Sequence, residues 1–240
     1  MEGDIRKVII YPDVHGRRFW RRGARFFGEG VRHIFLGDYL DPYERECIGW
    51  DEAMGEFQDI LSLAKEHPDE VTLLLGNHDL HYLFNDLAGT RRNRFEAASV
   101  RSILLENMDL FKMADEVTLG GRRYLFSHAG VHRSWHLIHD NIFGKLEDLC
   151  ADTFNSLMFT KEFVGALSDV GFIRGGWDAV GSMVWADIHE FEEPDALIPG
   201  LVQVVGHSMQ VAPKVIDEGI YCLDCSRCFV LDESGIRMMV

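Results

Sequence analysis

Short apolar runs alternate with longer amphipathic stretches along the chain. The apolar runs have the length and composition of buried strands and lie at 7–11, 32–36, 71–75, 123–127, 201–205 and 220–223. The stretches with amphipathic, helix-like character lie at 17–28, 50–66, 93–107 and 144–158. Strand and helix follow each other in turn, which predicts an α/β protein.

The stretch 50–66 shows a clear helical period. Its apolar residues recur at helical spacing, at Met54, Phe57, Ile60, Leu61 and Ala64. Pro68 stands just past its end, where helices are expected to stop. We therefore expect a helix that packs one face on a sheet.

Two regions are expected to depart from this alternation. Turn signals at 218–219 and 233–235 predict antiparallel hairpins, so the strands should form mixed sheets. The segment 158–200 carries Gly, Trp and acidic residues without a clean period. We interpret this segment as a loop that lines a functional site, with Trp177 and Trp185 more suited to the core than to stacking.

Polar side chains follow each predicted strand at the point where the strand ends. They are Asp13, His15, Asp38, Asp41, Asn77, His78, His128, His207 and Asp224. A single Asp or His in such a place is more often a cap or turn residue. Because ligands of open α/β sheets bind at the carboxyl ends of strands, the repeated pattern favours one common site. Gly37, Gly76 and Gly206 stand at three of the bends and permit close backbone approach.

These side chains are oxygen and imidazole donors without thiolates, a set that suits Mn, Fe or Zn. They are more numerous than one ion with open positions needs. Two ions that share a bridging carboxylate, roughly 3.5–4 Å apart, are a recurrent solution for phosphate-ester hydrolysis. The pattern predicts two divalent metal ions, with Mn²⁺ as the first candidate and Fe or Zn as alternatives.

Composition and charge exclude several classes of function. The 240 residues, 47% of them hydrophobic, suffice for one domain over residues 1–240 with a sizeable core. The net charge of −15 argues against binding of a nucleic-acid duplex, which needs a basic face. No apolar run approaches the roughly 20 residues of a membrane helix. The first residues show no secretory pattern, so we expect a cytoplasmic protein with no membrane partner.

The cysteines include a C-x-x-C-x-x-C run at Cys222, Cys225 and Cys228. No fourth Cys stands near it, and Cys222 and Cys228 fall inside apolar, strand-like runs. We interpret the three residues as buried thiols rather than as a metal or redox site.

Five motifs, in this order, resemble those of the calcineurin-like metallophosphoesterases. They are Asp13-Val14-His15, Gly37-Asp38-Tyr39-Leu40-Asp41, Gly76-Asn77-His78-Asp79, Ser127-His128-Ala129-Gly130 and Gly206-His207-Ser208. The runs GNHDLHYL and SHAGV look most like the branch that holds bacterial protein serine/threonine phosphatases and symmetrical bis(5′-nucleosyl)-tetraphosphatases. The resemblance implies two mixed β-sheets in a sandwich flanked by α-helices.

The resemblance also implies a role for each motif residue. The implied metal ligands are Asp13 and His15 for the first ion, Asp38 as the bridge, and Asn77, His128 and His207 for the second ion. A metal-bridging hydroxide would attack phosphorus. His78 would protonate the leaving oxygen, with Asp41 holding it in its working state. Asp224 has no motif role and is a candidate for orienting a ligand His.

The chain departs from the family pattern at several positions. Pro42 and Asp187 stand where relatives often carry an Arg that binds phosphate, and Met209 stands where many relatives carry a further His. Because Arg binds phosphate bidentately, another Arg is expected to take over. The candidates are Arg174 first, in a Gly-rich stretch, and then Arg17, Arg18, Arg91, Arg92 and Arg94. A solvated surface position is the alternative for each of them.

The sequence leaves three functions open. The first is serine/threonine protein phosphatase-like hydrolysis of a phosphorylated protein or peptide, and the second is hydrolysis of a dinucleoside tetraphosphate. The third is a non-catalytic metal- or partner-binding module, which would have little need of both His78 and Asp41. The acidic balance weighs against a substrate with four phosphates, whereas the GNHDLH run weighs for it. The oligomeric state is not predicted.

Overall fold

The structure, a computed structural model, describes residues 5–84, 87 and 89–239. They fall into two compact units. Of the described residues, the first unit holds 5–84, 89–111 and 226–239, and the second holds 87 and 112–225. The expectation of one domain over residues 1–240 stays a prediction.

The six strands that the sequence predicts with bounds are all present, each to within one residue at either end. Within the described residues the strands are, in chain order, β1 (Lys7–Tyr11), β2 (Val31–Phe35), β3 (Val71–Leu74), β4 (Phe111–Lys112), β5 (Ala114–Leu119), β6 (Arg122–Ser127), β7 (Leu201–Val205), β8 (Lys214–Ile216), β9 (Ile220–Cys222), β10 (Phe229–Asp232) and β11 (Gly235–Met238). The α-helices there are α1 (Trp50–Glu66), α2 (Asn77–Leu83), α3 (Ala97–Glu106), α4 (Arg133–Ile138), α5 (Asp140–Phe143), α6 (Ala151–Leu157) and α7 (Lys161–Leu167). None of these helices is long and apolar enough to cross a bilayer.

The sheet of the first unit has the strand order β11-β10-β1-β2-β3-β4. Strands β1, β2 and β3 are parallel, whereas β10 is antiparallel to both β1 and β11. The carboxyl ends of the three parallel strands therefore lie at the same edge. Asp13, Asp38 and Asn77 follow at that edge.

The sheet of the second unit has the strand order β5-β6-β7-β9-β8. Strands β6, β7 and β9 are parallel, and β5 and β8 are antiparallel at the two edges. His128 and His207 follow β6 and β7 at one edge. Two mixed sheets with helices confirm the expected fold class, and the β8–β9 and β10–β11 hairpins confirm the predicted turns.

Helix α1 has the bounds that the periodicity predicts. Its buried apolar residues are Ala53, Phe57, Ile60, Leu61 and Ala64. Met54, expected on this face, is only half-buried. Burial of a large side chain such as Phe57 contributes about 1.5–3 kcal/mol, so this face anchors the helix to its unit.

The stretch 17–28 forms a 3₁₀ helix over Phe19–Arg25 rather than the expected α-helix. Its arginines reach the buried Glu56 of α1. Arg18 Nε lies 3.0 Å from Glu56 Oε1, and Arg21 Nε lies 2.8 Å from Glu56 Oε2. These tertiary contacts outweigh the local helix propensity.

Helix α3 begins later than the predicted 93–107. The Asn93 side chain accepts the backbone N–H groups of Phe95, at 3.1 Å, and Glu96, at 3.4 Å. This side chain closes a turn of its own and delays the helix until Ala97.

The second unit contains more short helices than expected. Within 144–158 the α-helix starts only at Ala151, after a left-handed Gly144 with φ of 76°. The segment 158–200, expected to be a loop, contains α7 and two 3₁₀ helices. Trp177 is 90% exposed, so a core position is wrong for it.

Candidate active site

Asp13, His15 and Asp38 form a buried cluster after β1 and β2. His15 Nδ1–H donates to the Leu40 carbonyl at 2.7 Å, which leaves Nε2 facing the carboxylates. That Nε2 lies 3.5 Å from Asp38 Oδ2 and 4.0 Å from Asp13 Oδ2. Ligand atoms of His15, Asp38 and His78 all lie within 4.8 Å of one another. These groups are close enough to share a cation.

The backbone is strained at four of the predicted site residues. The φ angle is positive at His15 (44°), Asp38 (54°), Asp41 (61°) and His207 (62°). Non-glycine residues rarely adopt this left-handed conformation, and it concentrates at functional sites when the surrounding structure enforces it. The strain is therefore a second observation, independent of the motifs, that marks these loops as functional.

Asn77 and His78 begin α2 directly after the Gly76 N-cap. The His78 backbone N–H donates to Asp38 Oδ1 at 3.0 Å, so the loops after β2 and β3 are hydrogen-bonded to each other. A Cβ on Gly37 would lie 2.5 Å from the Gly76 nitrogen, which explains why glycine is required there. The buried strand β3 thus runs into polar residues because its end forms part of the cluster.

His78, Asp41 and Tyr82 form a buried hydrogen-bonded chain. His78 Nδ1–H donates to Asp41 Oδ2 at 3.1 Å, and Tyr82 O–H donates to Asp41 Oδ1 at 2.7 Å. Burial, followed by the Asp41 carboxylate, raises the pKa of Tyr82, which therefore remains a donor. The Asp41 carboxylate is thus held from both sides, and His78 Nε2 is left for a reacting group.

The electrostatics of the cluster favour a bound cation. Burial raises the pKa of Asp38 well above its usual value; His78 opposes this rise, whereas Asp13 and Asp79 add to it. Burial, together with nearby His78, lowers the pKa of His15 well below its usual value. Buried carboxylates this close together are costly without a compensating positive charge. Oxygen and imidazole donors fit a divalent metal ion, and Asp13, His15 and Asp38 are the candidate ligands in this unit.

His128 and His207 meet in the second unit. His128 Nε2 lies 3.1 Å from His207 Nδ1, and both side chains are buried. The backbone N–H of Gly206 donates to the His128 carbonyl at 2.8 Å, which fixes the loop after β7 to the end of β6. Two imidazoles on neighbouring parallel strands offer a further pair of metal donors. The role of the buried Asp224 in orienting a His stays a prediction.

Arg174 is bound on several sides within the second unit. Its Nε lies 2.8 Å from Asp187 Oδ2. Its Nη2 donates to Ser208 Oγ at 2.8 Å and to the His207 carbonyl at 3.2 Å. Ser208 Oγ also accepts the Ile188 backbone N–H at 3.0 Å. Asp187 thus holds Arg174 against the left-handed His207.

Two other candidate arginines already have protein partners. Arg17 donates to Glu46 Oε1 from Nε at 2.9 Å and from Nη2 at 2.8 Å, and its Nη1 donates to the Asp13 carbonyl at 3.1 Å. Arg92 Nη1 donates to the His81 carbonyl at 2.7 Å. Their roles as phosphate ligands stay predictions, and these contacts give both a structural role.

The predicted site residues divide between the two units. The first unit brings together Asp13, His15, Asp38, Asp41, Asn77 and His78, and the second brings together His128 and His207. Sequence reasoning gave no role to Asp79, Tyr82 or Ser208. A signal existed for Tyr82, because it lies four residues after His78 on the same helix.

Comparisons with known proteins agree with this geometry. The sequence matches the family model of the calcineurin-like phosphoesterases over residues 6–162. No curated protein sequence matches the chain. Among solved structures, a cold-active protein-tyrosine phosphatase from a psychrophilic Shewanella species is 16% identical with a TM-score of 0.59, over 98% of this chain and 81% of that one.

A second solved structure of similar fold is a protein serine/threonine phosphatase from Saccharomyces cerevisiae with similarity to human phosphatase PP5. It is 11% identical with a TM-score of 0.56, over 98% of this chain and 79% of that chain. Identities this low establish similarity of fold alone. The family match covers well over half of the sequence and includes the motifs through Ser127-His128-Ala129-Gly130. The chain therefore belongs to the calcineurin-like phosphoesterase family and is a metallophosphoesterase, an enzyme of a family that uses divalent metal ions.

Proposed function

We propose that this phosphoesterase hydrolyses phosphorylated proteins or peptides, in the manner of serine/threonine protein phosphatases, with two divalent ions. The observation that carries the proposal is the buried chain from Tyr82 through Asp41 to His78, placed beside the carboxylate cluster. A phosphoesterase needs a proton donor for the leaving oxygen, and His is the side chain best suited to supply it near neutral pH.

The chain's own residues would act as follows. Asp41 orients the His78 ring through Nδ1, so that Nε2 can donate a proton to the leaving oxygen. Tyr82 holds the second oxygen of the Asp41 carboxylate and keeps it from rotating. Because His78 and Asp41 are buried, the proton is delivered away from bulk water.

Asp13, His15 and Asp38 would hold metal in the first unit. Bound divalent ions would polarise the phosphoryl group and stabilise its developing charge. The resemblance assigns Asn77, His128 and His207 to the second ion, and we retain that assignment as part of the proposal. We also propose Mn²⁺ as the native metal, with Fe or Zn as alternatives, since each suits oxygen and imidazole donors. Two ions per chain, counted by metal analysis, are the expected stoichiometry.

The preference for phosphoprotein substrates has three supports. The two structural neighbours are named as protein phosphatases, one for tyrosine and one for serine/threonine. The net charge of −15 disfavours a substrate with four phosphates. Phe172, Ile173 and Trp177 expose more than half of their surfaces, which suits contact with a peptide.

Hydrolysis of a dinucleoside tetraphosphate is the second candidate. It is favoured by the GNHDLH run and by the exposed Arg91 that follows α2, which could contact a chain of phosphates. A non-catalytic module is the third candidate. The intact hydrogen bond between His78 and Asp41 weighs against it.

A competition assay separates these functions. The Mn²⁺-loaded protein is given phosphothreonine, phosphoserine and phosphotyrosine peptides together with diadenosine tetraphosphate, and products are resolved by chromatography after quenching with a chelator. Release of phosphate from the peptides first supports the proposal. ADP as the first product identifies a dinucleotide hydrolase, and no turnover with metal bound identifies a binding module. Asp38→Asn serves as the matched control, since any activity that survives it comes from a contaminant.

A further inference from the structure

Arg91, in the loop between α2 and α3, is held in one place by two contacts. Its Nη2 donates to the Asp41 carbonyl at 2.7 Å. Its guanidinium carbon lies 3.6 Å from the centre of the Tyr43 ring, which is a stacked cation–π contact. A solvated surface Arg would sample many rotamers, whereas these contacts fix this guanidinium beside the residue that orients His78.

Arg91 also keeps its charge available. No carboxylate oxygen of the described residues lies within 4.0 Å of its guanidinium nitrogens, and its side chain is exposed. By contrast, Arg17 is neutralised by Glu46 and Arg174 by Asp187. Arg has five N–H donors, and the Asp41 carbonyl occupies one of them. The remaining donors of Arg91 can therefore bind an anion.

The Tyr43 ring connects this guanidinium to the buried cluster. It makes a T-shaped contact with the His15 ring, with the ring centroids 5.1 Å apart and an interplanar angle of 75°. Arg45 and Arg17 approach the same ring, with guanidinium carbons 5.0 and 5.6 Å from its centre. Three guanidinium groups therefore approach the Tyr43 ring, which itself contacts His15 of the buried cluster.

From these contacts we infer that Arg91 is the phosphate-binding arginine of this enzyme, in preference to Arg174, Arg17 and Arg92. Its free N–H groups bind the non-bridging oxygens of the phosphoryl group, and Tyr43 holds it in the binding orientation. Charge-assisted, bidentate hydrogen bonds to a phosphate dianion are what this geometry offers. The inference rests on the proposed phosphoesterase function and names a specificity-determining residue for it.

The test compares Arg91→Met with Arg94→Met. Methionine retains an apolar stem over Tyr43 but has no charge, and Arg94 is an exposed arginine of the same loop. The first readout is the dissociation constant of inorganic phosphate, measured by calorimetry on the Mn²⁺-loaded protein. Arg91→Met should weaken phosphate binding roughly 10–100-fold, the loss expected for one or two charge-assisted hydrogen bonds. Arg94→Met should change it less than about twofold.

The second readout is steady-state hydrolysis of a phosphothreonine peptide and of para-nitrophenyl phosphate. KM should rise in Arg91→Met by a similar factor while kcat changes less, and Arg91→Lys should fall between the two because lysine keeps the charge without the fork. Unchanged phosphate affinity in Arg91→Met overturns the inference, as does a fall in kcat alone, which would mean that Arg91 only supports Asp41. Wild-type protein that hydrolyses no phosphoester would defeat the proposed function instead, and the phosphate dissociation constants would still decide the role of Arg91.

Discussion

The Asp79 carboxylate accepts the backbone N–H of Asp38 at 2.8 Å, across 41 positions of sequence. The same Oδ2 accepts the Gly76 N–H at 2.8 Å, and Oδ1 accepts the Tyr39 N–H at 3.3 Å. One buried side chain thus satisfies three backbone donors from the loops after β2 and β3. Asp79 thereby fixes the position at which Asp38 presents its own carboxylate.

Asp79→Asn should therefore weaken metal binding without removing a metal ligand. An amide offers one acceptor oxygen, and its NH₂ group would face the backbone N–H groups that the carboxylate now accepts. Loss of a group that orients a ligand typically costs roughly 10–100-fold in metal affinity. Calorimetric titration with Mn²⁺ measures the change, with the exposed Asp69→Asn as the control. An affinity within twofold of wild type would show that the loops hold their shape without Asp79.

The role of Asp79 illustrates what the sequence could and could not predict. Strand ends and the polar residues behind them follow from local periodicity, so the positions of Asp13, Asp38 and Asn77 at one edge could be predicted. A carboxylate that binds three backbone N–H groups is defined by residues far away in sequence, and no local pattern reports it. The same holds for Arg91, whose partners Asp41 and Tyr43 lie in a different loop.

The secondary structure likewise divides into elements that local periodicity determines and elements that distant contacts determine. Helix α1 was predicted to the residue because its apolar face repeats over more than four turns. Strand β5 was missed because Asp115 and Glu116 interrupt its apolar pattern, although Asp115 is buried. The stretch 17–28 became a 3₁₀ helix through contacts with Glu56 on α1, which its own sequence does not contain. Local propensity decides an element only where tertiary contacts do not oppose it.

His78→Asn should abolish most turnover and leave metal binding intact. Removal of a general acid costs roughly 10²–10⁴-fold in kcat. Metal analysis of the purified variant checks that the ions are retained, and near wild-type activity would refute the assignment of His78 as the acid. Tyr82→Phe is a graded companion, because it deletes only the 2.7 Å hydrogen bond to Asp41 and should cost roughly 3–10-fold in kcat.

Arg174 and Asp187 should show coupled effects on stability. Their side chains are 26% and 12% exposed, so loss of one partner leaves a poorly solvated charge. Arg174→Met should lower the free energy of unfolding by about 2 kcal/mol, less than for a fully buried pair. The double variant Arg174→Met/Asp187→Asn should recover part of this loss, with a coupling energy of about 1–2 kcal/mol from urea denaturation. If the effects of the two single substitutions simply add in the double variant, the salt bridge between Arg174 and Asp187 itself contributes nothing to stability.

Gly37→Ala should be among the most destabilising single substitutions in the first unit. Gly37 has a φ of 103°, and an added Cβ would lie 2.5 Å from the Gly76 nitrogen and 2.8 Å from its Cα. Strain and collision together should cost more than about 2 kcal/mol. Gly120→Ala is the matched control, since Gly120 is also left-handed, at 56°, but has open space around it. The loss of stability in Gly120→Ala should stay near 1 kcal/mol, about the strain of a left-handed alanine alone. Equal melting temperatures for the two variants would show that a Cβ at position 37 does not collide with Gly76.

The buried His33 should make the protein less stable as the pH falls below neutral. Its Nδ1 accepts the Tyr11 O–H at 2.8 Å, and its Nε2–H donates to the Phe26 carbonyl at 3.2 Å, so the neutral ring is fully hydrogen-bonded. Burial lowers the pKa of His33 to about 4, with a smaller contribution from His67. The unfolded chain, with an ordinary pKa near 6.5, therefore binds the proton first as the pH falls.

The stabilisation from neutral His33 is thus complete above about pH 6.5 and is lost progressively as the pH falls towards 4. Between pH 7 and pH 5 this amounts to about 2 kcal/mol. Urea denaturation at both values should show that His33→Gln, whatever its absolute stability, loses this part of the pH dependence. The exposed His189→Gln should keep it, because His33 is intact in that variant. Burial also lowers the pKa of His132 and His136, which leaves a background slope common to all the variants. A slope in His33→Gln equal to that of wild type would show that His33 binds its proton equally well in the folded and unfolded chains.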